Sequence, residues 1–551
     1  MAFKRKQSFL YGALVLVASS VLVNVLGAVF KIPLTILIKE EGMGLFNTSY
    51  TLFTFFVLAA KGFSIAVSKM VSESIALEKK READRIFTVA LVLLGILGAA
   101  GSILLYWGAQ RFSGMLGNTK AALCIKAISP AVLFIALVSA FRGYFQGRQD
   151  MYPTAFSEVI EALGKLVIGM LLAWWFVGIS IERAAAGAVA GVTGSTMLGL
   201  IFIVIVFVID KVKGEKNGNE NTRSIRGIIK RLLIISLPIT IGASVASLTN
   251  VVDMMTIMNR LQSITNVTPE FITKYQSIIN DGVAVGGITE DLANKLYGLY
   301  SGYAVLLFNL PLTMIVALST SVLPAISAAI TRRDALGAQT ITKSVIRITI
   351  LFALPCTVGL AVLAGPILQL ILNNSLAKDL LRTISIAIVF VSIVQVTNAV
   401  LQAYGKMHIP VINMIIGGIV KIAFNYYFIG IASINIEGAP LGTIACYFVI
   451  AMLNLIYIAR LTKAKFEKAD FIFKPLFSAV GMGVIATFSV NAMLGVGIGE
   501  KIAVLPAIAI GAIVYMLLIL TTGGITKSDV EMMPAGKRVA ETLGKLHLLK
   551  G

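Results

Sequence analysis

Asn24-Val-Leu-Gly-Ala-Val-Phe-Lys31-Ile-Pro33, then Glu40-Glu41-Gly-Met-Gly44-Leu-Phe-Asn-Thr-Ser-Tyr50, then Lys61-Gly-Phe-Ser64: reading this stretch decides the fold. Two apolar runs flank a short acidic, glycine-rich turn, and each run is long enough to cross roughly 30 Å of hydrocarbon. Each also carries a lysine. A charge at membrane depth costs a few kcal/mol, so it normally faces a wet cavity or a partner and not lipid. The pattern returns further along. Gly298-Leu-Tyr-Ser-Gly-Tyr303 and Leu318-Ser319-Thr-Ser-Val322 match it at an offset of about 254 residues, the mark of an internal repeat.

Working outward, 57% of the 551 residues are apolar and only 13% are charged. Ordinary globular chains carry about 25% charged residues, so this composition describes a polytopic membrane protein. Cys124, Cys356 and Cys446 all fall in apolar runs and read as small packing residues, not as a disulfide framework. Two histidines, His408 and His547, stand apart from each other and from any cysteine, which argues against a metal enzyme. The net charge of +20 sits in loops between apolar runs. Its simplest cause is topology, with lysine and arginine collecting on the cytoplasmic side, and nucleic acid is not expected as a partner. Lys4-Arg5-Lys6 followed by an apolar run resembles a secretory signal. That run continues to about Ile38, too long for a signal, and so reads as a first transmembrane helix.

The periodicity predicts an all-α membrane protein with about fourteen transmembrane helices. They form two six-helix lobes and two further C-terminal helices. The expected divisions are an N-lobe over 1–212, a cytoplasmic linker over 213–228 and a C-lobe over 229–461 with an outer loop at 259–295. Spans 13 and 14 follow over 462–525, then a cytoplasmic amphipathic tail over 526–551, with a capping box at Ser528 to Glu531. With the N-terminus inside, roughly two thirds of the lysines and arginines fall on inner segments, so both termini are expected in the cytoplasm. Trp174 and Trp175 would sit in the outer aromatic belt. An offset spanning six helices preserves orientation, so the repeat would be parallel, about an axis along the membrane normal.

Candidate functional residues are the ionisable and amide groups inside spans. Lys165 and Lys421 occupy repeat-related places, each about a dozen residues beyond a proline, Pro153 and Pro410. With Lys31 and Lys61 they would form a cationic wall for an anionic cargo. Glu158, Glu161 and Lys165 share one helix face, and Glu161 precedes Lys165 by four residues, the favourable order for an ion pair. Asn24, Asn250, Gln395 and Asn398 extend a polar wall, or simply bond helix to helix. Asp253 and Asn425 are the places where a small cation could couple to transport. No nucleotide loop or catalytic constellation is present in the sequence, so a transporter is expected, not an enzyme.

Phe141-Arg142-Gly-Tyr-Phe-Gln-Gly147 with Pro153-Thr-Ala, together with Asn24-Val-Leu-Gly27, Lys31-Ile-Pro33 and Glu41-Gly-Met-Gly44, resembles the polysaccharide-exporter branch of the multidrug/oligosaccharidyl-lipid/polysaccharide (MOP) superfamily. The closest type is the group around stage V sporulation protein B, similar to MurJ-type lipid II flippases. The resemblance implies alternating access between two lobes around a cationic cavity. It implies an undecaprenyl-pyrophosphate-linked glycan as cargo, lipid II foremost, turned over from inner to outer leaflet, with cell-wall synthesis enzymes as neighbours. MurJ-type proteins line that cavity with arginines of spans 1, 2 and 8. Here Lys31 and Lys61 stand near the first two, and Arg260 or the pair Lys165 and Lys421 would serve for the third. Some members bind sodium beside an acid of span 7, where Asp253 stands, while Lys421 could fill the same place as a built-in cation. No cofactor is expected, and coupling to Na+ or H+ is left open. The competing functions are a flippase for another surface polysaccharide unit and a cation-coupled multidrug exporter. Four lysines in the spans argue against a cationic drug.

Overall fold

A computed structural model describes residues 9–212, 224–279, 287–463 and 472–524. Most of the expected linker, part of the outer loop at 280–286, and the tail with its capping box lie outside these residues. Every regular element among the described residues is helical. In order they are α1 (Phe9–Ala76), α2 (Lys80–Met115), α3 (Ala122–Gly147), α4 (Tyr152–Val177), α5 (Ile181–Val212), α6 (Ile225–Gln262), α7 (Pro269–Tyr275), α8 (Glu290–Gly298), α9 (Val305–Thr331) and α10 (Ala335–Val362). Then come α11 (Ala364–Leu372), α12 (Lys378–Ser385), α13 (Ala387–Ala403), α14 (His408–Ile429), α15 (Gly438–Thr462), α16 (Lys474–Gly495) and α17 (Glu500–Thr521).

Among the described residues eleven helices are long and apolar enough to cross a membrane, or twelve if the α12–α13 pair, bent by 43°, counts as one span. One of the eleven, Ala18–Ala76, runs 59 residues. At 1.5 Å per residue that is about 90 Å, long enough for two crossings. This accounts for part of the difference from the fourteen expected.

The turn expected at Glu40–Gly44 is not a loop. The two halves of α1 meet at a single non-helical residue, Lys39, with φ 54° and ψ −167°. One residue in the left-handed region redirects the chain and leaves Glu40–Gly44 helical, so the acidic, glycine-rich segment opens the second half of α1. The span expected over 296–328 also differs. It opens as α8, passes through a π-helical turn at Leu299–Ala304 and continues as α9. Extra backbone in such a bulge shifts the following residues around the axis, and π-bulges concentrate at functional sites.

The chain groups into two compact units: Met1–Thr265 with Val285–Gly302, and Asn266–Ala284 with Tyr303–Gly551. This grouping places α6 with the first five helices, whereas the expected C-lobe began at 229. Thr240 of α6 donates to the Ala59 carbonyl of α1 at 3.2 Å, a tie within the first unit.

In the first unit one apolar core gathers Phe30, Leu34, Phe46, Ile125 and Val189. A second gathers Met70, Phe87, Phe141, Phe145 and Ile203. Close backbone approach is built in by small residues, the usual means of helix association in lipid. A Cβ at Gly143 would lie 2.6 Å from the Ser64 carbonyl, and one at Gly147 would lie 2.7 Å from that of Ser68. The RGYFQG segment thus seats α3 on α1 through its glycines, while Phe141, Tyr144 and Phe145 pack against Phe87 and Phe207.

The second unit builds its core from α9, α10, α13, α15, α16 and α17, around Ile346, Leu354, Ile393, Ile450 and Met482. Tyr515 donates to the Leu351 carbonyl at 2.7 Å, so its hydroxyl is satisfied inside that core. On α7, Lys274 forms ion pairs with Asp379 and Glu437. Burial pulls its pKa down, but the hydrogen bonds to these two carboxylates hold it above the ordinary lysine value.

Candidate substrate-binding site

The site begins with a packing detail. Gly169 on α4 leaves room for the Phe30 ring, since a Cβ there would lie 2.9 Å from Phe30 Cε2. One turn earlier on α4, Lys165 places its Nζ over that ring, 5.7 Å from the centroid. The same ammonium lies 5.9 Å from the centre of Tyr50, on the second half of α1. Lys31, on the first half, reaches the Tyr50 ring at 5.6 Å. Two cations therefore share one aromatic ring, which is itself stacked on Phe46 with centroids 5.5 Å apart and planes 13° apart.

Electrostatics sets this pair apart. Cation–π attraction holds an ammonium by about 0.5–2 kcal/mol but does not neutralise it. Among the described residues, no carboxylate lies within ion-pair distance of Lys31 or Lys165. The fold has gathered two like charges at one place without a counter-anion, and repulsion between them falls when an anion arrives.

Glu161 does not supply that counter-anion, contrary to the pairing with Lys165 that the sequence order favoured. It turns instead toward α3. Arg142 Nη2 donates to Glu161 Oε2 at 3.0 Å and to Ser157 Oγ at 2.8 Å, and Arg142 Nε donates to Ser157 Oγ at 2.9 Å. Thr196 of α5, whose hydroxyl donates to the Val192 carbonyl at 2.9 Å, lies 3.4 Å from the other carboxylate oxygen. The several donors of a guanidinium engage Ser157 and the carboxylate together, which a single flexible ammonium does less well.

The remaining expected residues lie on several helices. Asn24 is exposed and lies two turns before Lys31, on the same face of α1. That face is separate from the exposed apolar one formed by Val25, Val29 and Ile36. Glu158 is half-buried one turn before Glu161. Lys61 is exposed with Ile65 and Lys69 on the second half of α1, and the structure does not join it to the Tyr50 cluster. On α6, Asn250 is exposed and Asp253 is buried. Lys421 and Asn425 are buried one turn apart on α14, in the second unit. Gln395 is half-buried on α13. Asn398 belongs to a helix-bonding network: it accepts from Asn454 Nδ2 at 2.9 Å, and Asn454 accepts from Asn413 Nδ2 at 2.8 Å. Of the two readings open for it, bonding between helices is the one its contacts describe.

Sequence reasoning missed Tyr50, Phe30 and the part played by Arg142. Aromatic residues in an apolar run look the same whether they face lipid, core or a cation. Arg142 did carry a signal, as the one charge inside the RGYFQG segment.

The polytopic helical bundle has close likenesses among solved structures. An inward-facing multidrug resistance MATE family transporter of the MOP superfamily superposes with a TM-score of 0.63 at 16% identity, over 82% of this chain and 98% of its own. A MOP superfamily transporter from Pyrococcus furiosus gives 0.58 at 16% identity, over 83% and 97%. The chain therefore has the fold that these transporters share. The family model for polysaccharide biosynthesis proteins matches residues 9–330, more than half of the chain. The chain belongs to that family. The model for the lipid II flippase MurJ matches residues 296–511. Among curated relatives, stage V sporulation protein B of Bacillus subtilis (strain 168) is 24% identical over 96% of this chain and 98% of its own length. Lipid II flippase MurJ of the same organism is 25% identical over 82% of each.

Proposed function

We propose that this protein flips an undecaprenyl-pyrophosphate-linked glycan, lipid II in particular, from the inner to the outer leaflet of a bacterial membrane. The observation that carries the proposal is the pair Lys31 and Lys165, two ammonium groups over one tyrosine ring with no carboxylate beside them. A diphosphate is the natural ligand for such a pair. Its charge cannot cross hydrocarbon unaided, while its polyprenyl tail can remain in lipid. The family supports a lipid-linked saccharide over other anions, and the relative that bears the lipid II flippase name supports the particular head group. The cycle runs by alternating access, with the membrane potential or a coupled Na+ or H+ as its drive, both termini in the cytoplasm and the cell-wall enzymes nearby.

The test is a flipping assay in proteoliposomes, comparing lipid II with other undecaprenyl-pyrophosphate sugars. Wild-type protein should move lipid II fastest. Lys31→Ala and Lys165→Ala should insert normally and lose most of the rate. Wild-type rates for both variants would refute the assignment.

A further inference from the structure

The geometry points to Arg142 as a positioning residue for anion binding: it sequesters Glu161 so that Lys165 stays free for the diphosphate. This rests on the reading of Lys165 as an anion ligand and names the residue that makes that role possible.

Three observations combine. First, Glu161 and Lys165 stand four residues apart on α4, in the order in which a carboxylate and an ammonium pair spontaneously on a helix. In a partly dry environment that pairing is stronger than on an open surface. Second, the pairing does not form. Arg142 holds Glu161 at 3.0 Å, and both side chains are largely buried, 13% and 22% exposed. Third, the two neighbours on α4 are engaged in opposite directions. Glu161 is held by α3 through Arg142, while Lys165 lies over Phe30 and Tyr50 of α1. Without the guanidinium, Glu161 would be left as a largely buried, uncompensated charge. Lys165 is then the cation within reach along its own helix. The lysine would be neutralised from inside the protein before a substrate met it.

A purely structural reading of the same contacts is that Arg142 ties α3 to α4. The two readings part on what a second substitution does. Binding of undecaprenyl pyrophosphate to the purified full-length protein in detergent separates them, with size-exclusion profile and melting temperature recorded for each variant. Arg142→Gln should weaken binding about tenfold, as Glu161 swings onto Lys165. Adding Glu161→Gln in the same chain should restore most of that affinity, although the double variant has no ion pair left. Arg142→Lys, which keeps the charge but not the fork that also holds Ser157, should bind between wild type and Arg142→Gln. Lys165→Gln is run in parallel. If it binds like wild type, the anion-site reading itself fails. If it weakens binding while Arg142→Gln does not, the reading stands and the role of Arg142 is overturned. Equal weakness in Arg142→Gln and the double variant also overturns it, leaving a helix tie. Should Arg142→Gln fail to fold, Arg142→Lys decides: a loss as large as that of Lys165→Gln defeats the proposal.

Discussion

Tyr50 shows how much a single ring can decide. It draws two like-charged ammonium groups to one ring, and it holds each at under 6 Å without neutralising either. The attraction depends on the ring's quadrupole, not on its hydroxyl. Tyr50→Phe should therefore bind undecaprenyl pyrophosphate within a few-fold of wild type. Tyr50→Leu removes the π-face from both lysines and should weaken binding about tenfold, on the scale of one to two cation–π contacts. Equal binding by all three proteins would show that the ring is only filler. The lysines were legible in the sequence because a charge in an apolar run is expensive and conspicuous. Tyr50 was not, because its partner Lys165 lies 115 positions away, and nothing in the local pattern marks which aromatic of an apolar run will face it. Glu161 was legible as an acid in the right span, but local order suggested the wrong partner: Arg142 arrives from another helix.

At the scale of elements, the second half of α1 and the α8 segment meet at positions that the sequence had already matched. Gly44 and Gly298 are 254 residues apart, as are Asn47 and Ser301, and Asn47 Nδ2 donates to Ser301 Oγ at 3.0 Å. Asn294 donates to the Glu41 carbonyl at 3.0 Å, next to the Lys39 break. Residues that the sequence offset of about 254 pairs thus touch each other. The contact is as tight as helices allow, since a Cβ on Gly298 would lie 1.8 Å from the Glu40 carbonyl. Backbone cannot yield as a side-chain end can, so Gly298→Ala should push α8 off α1 at a cost of about 1–3 kcal/mol. Gly27, on the first half of α1, has nothing within 4 Å of such a Cβ. There Gly→Ala should be neutral or stabilising by up to about 1 kcal/mol. Melting temperatures in detergent check both, and a Gly298→Ala protein as stable as the Gly27→Ala control would show that the crossing is loose. The glycines were visible in the sequence. That Glu40–Gly44 opens a helix instead of forming a loop was not, because one left-handed residue at Lys39 does the work that a turn of several residues normally does.

Across the whole molecule, the sequence matched Lys165 with Lys421, each about a dozen residues past a proline at the start of its span. The surroundings of the two differ. Lys165 is half-buried against aromatic rings with no carboxylate beside it, whereas Lys421 is 8% exposed, packed on α14 beside the fully buried Asn425. A buried ammonium persists only when neighbouring groups satisfy it, and those groups are stranded if it is removed. The two lysines are therefore expected to carry different duties, Lys165 toward an anion and Lys421 toward the fold. Lys421→Met should lower the melting temperature markedly, the loss of a satisfied buried charge costing about 3–5 kcal/mol. Lys165→Gln should leave melting nearly unchanged and weaken binding of undecaprenyl pyrophosphate instead. Measuring both quantities on both variants separates the duties. If Lys421→Met keeps its melting temperature and loses binding as Lys165→Gln does, the two lysines serve the substrate alike, as their spacing in the sequence first suggested.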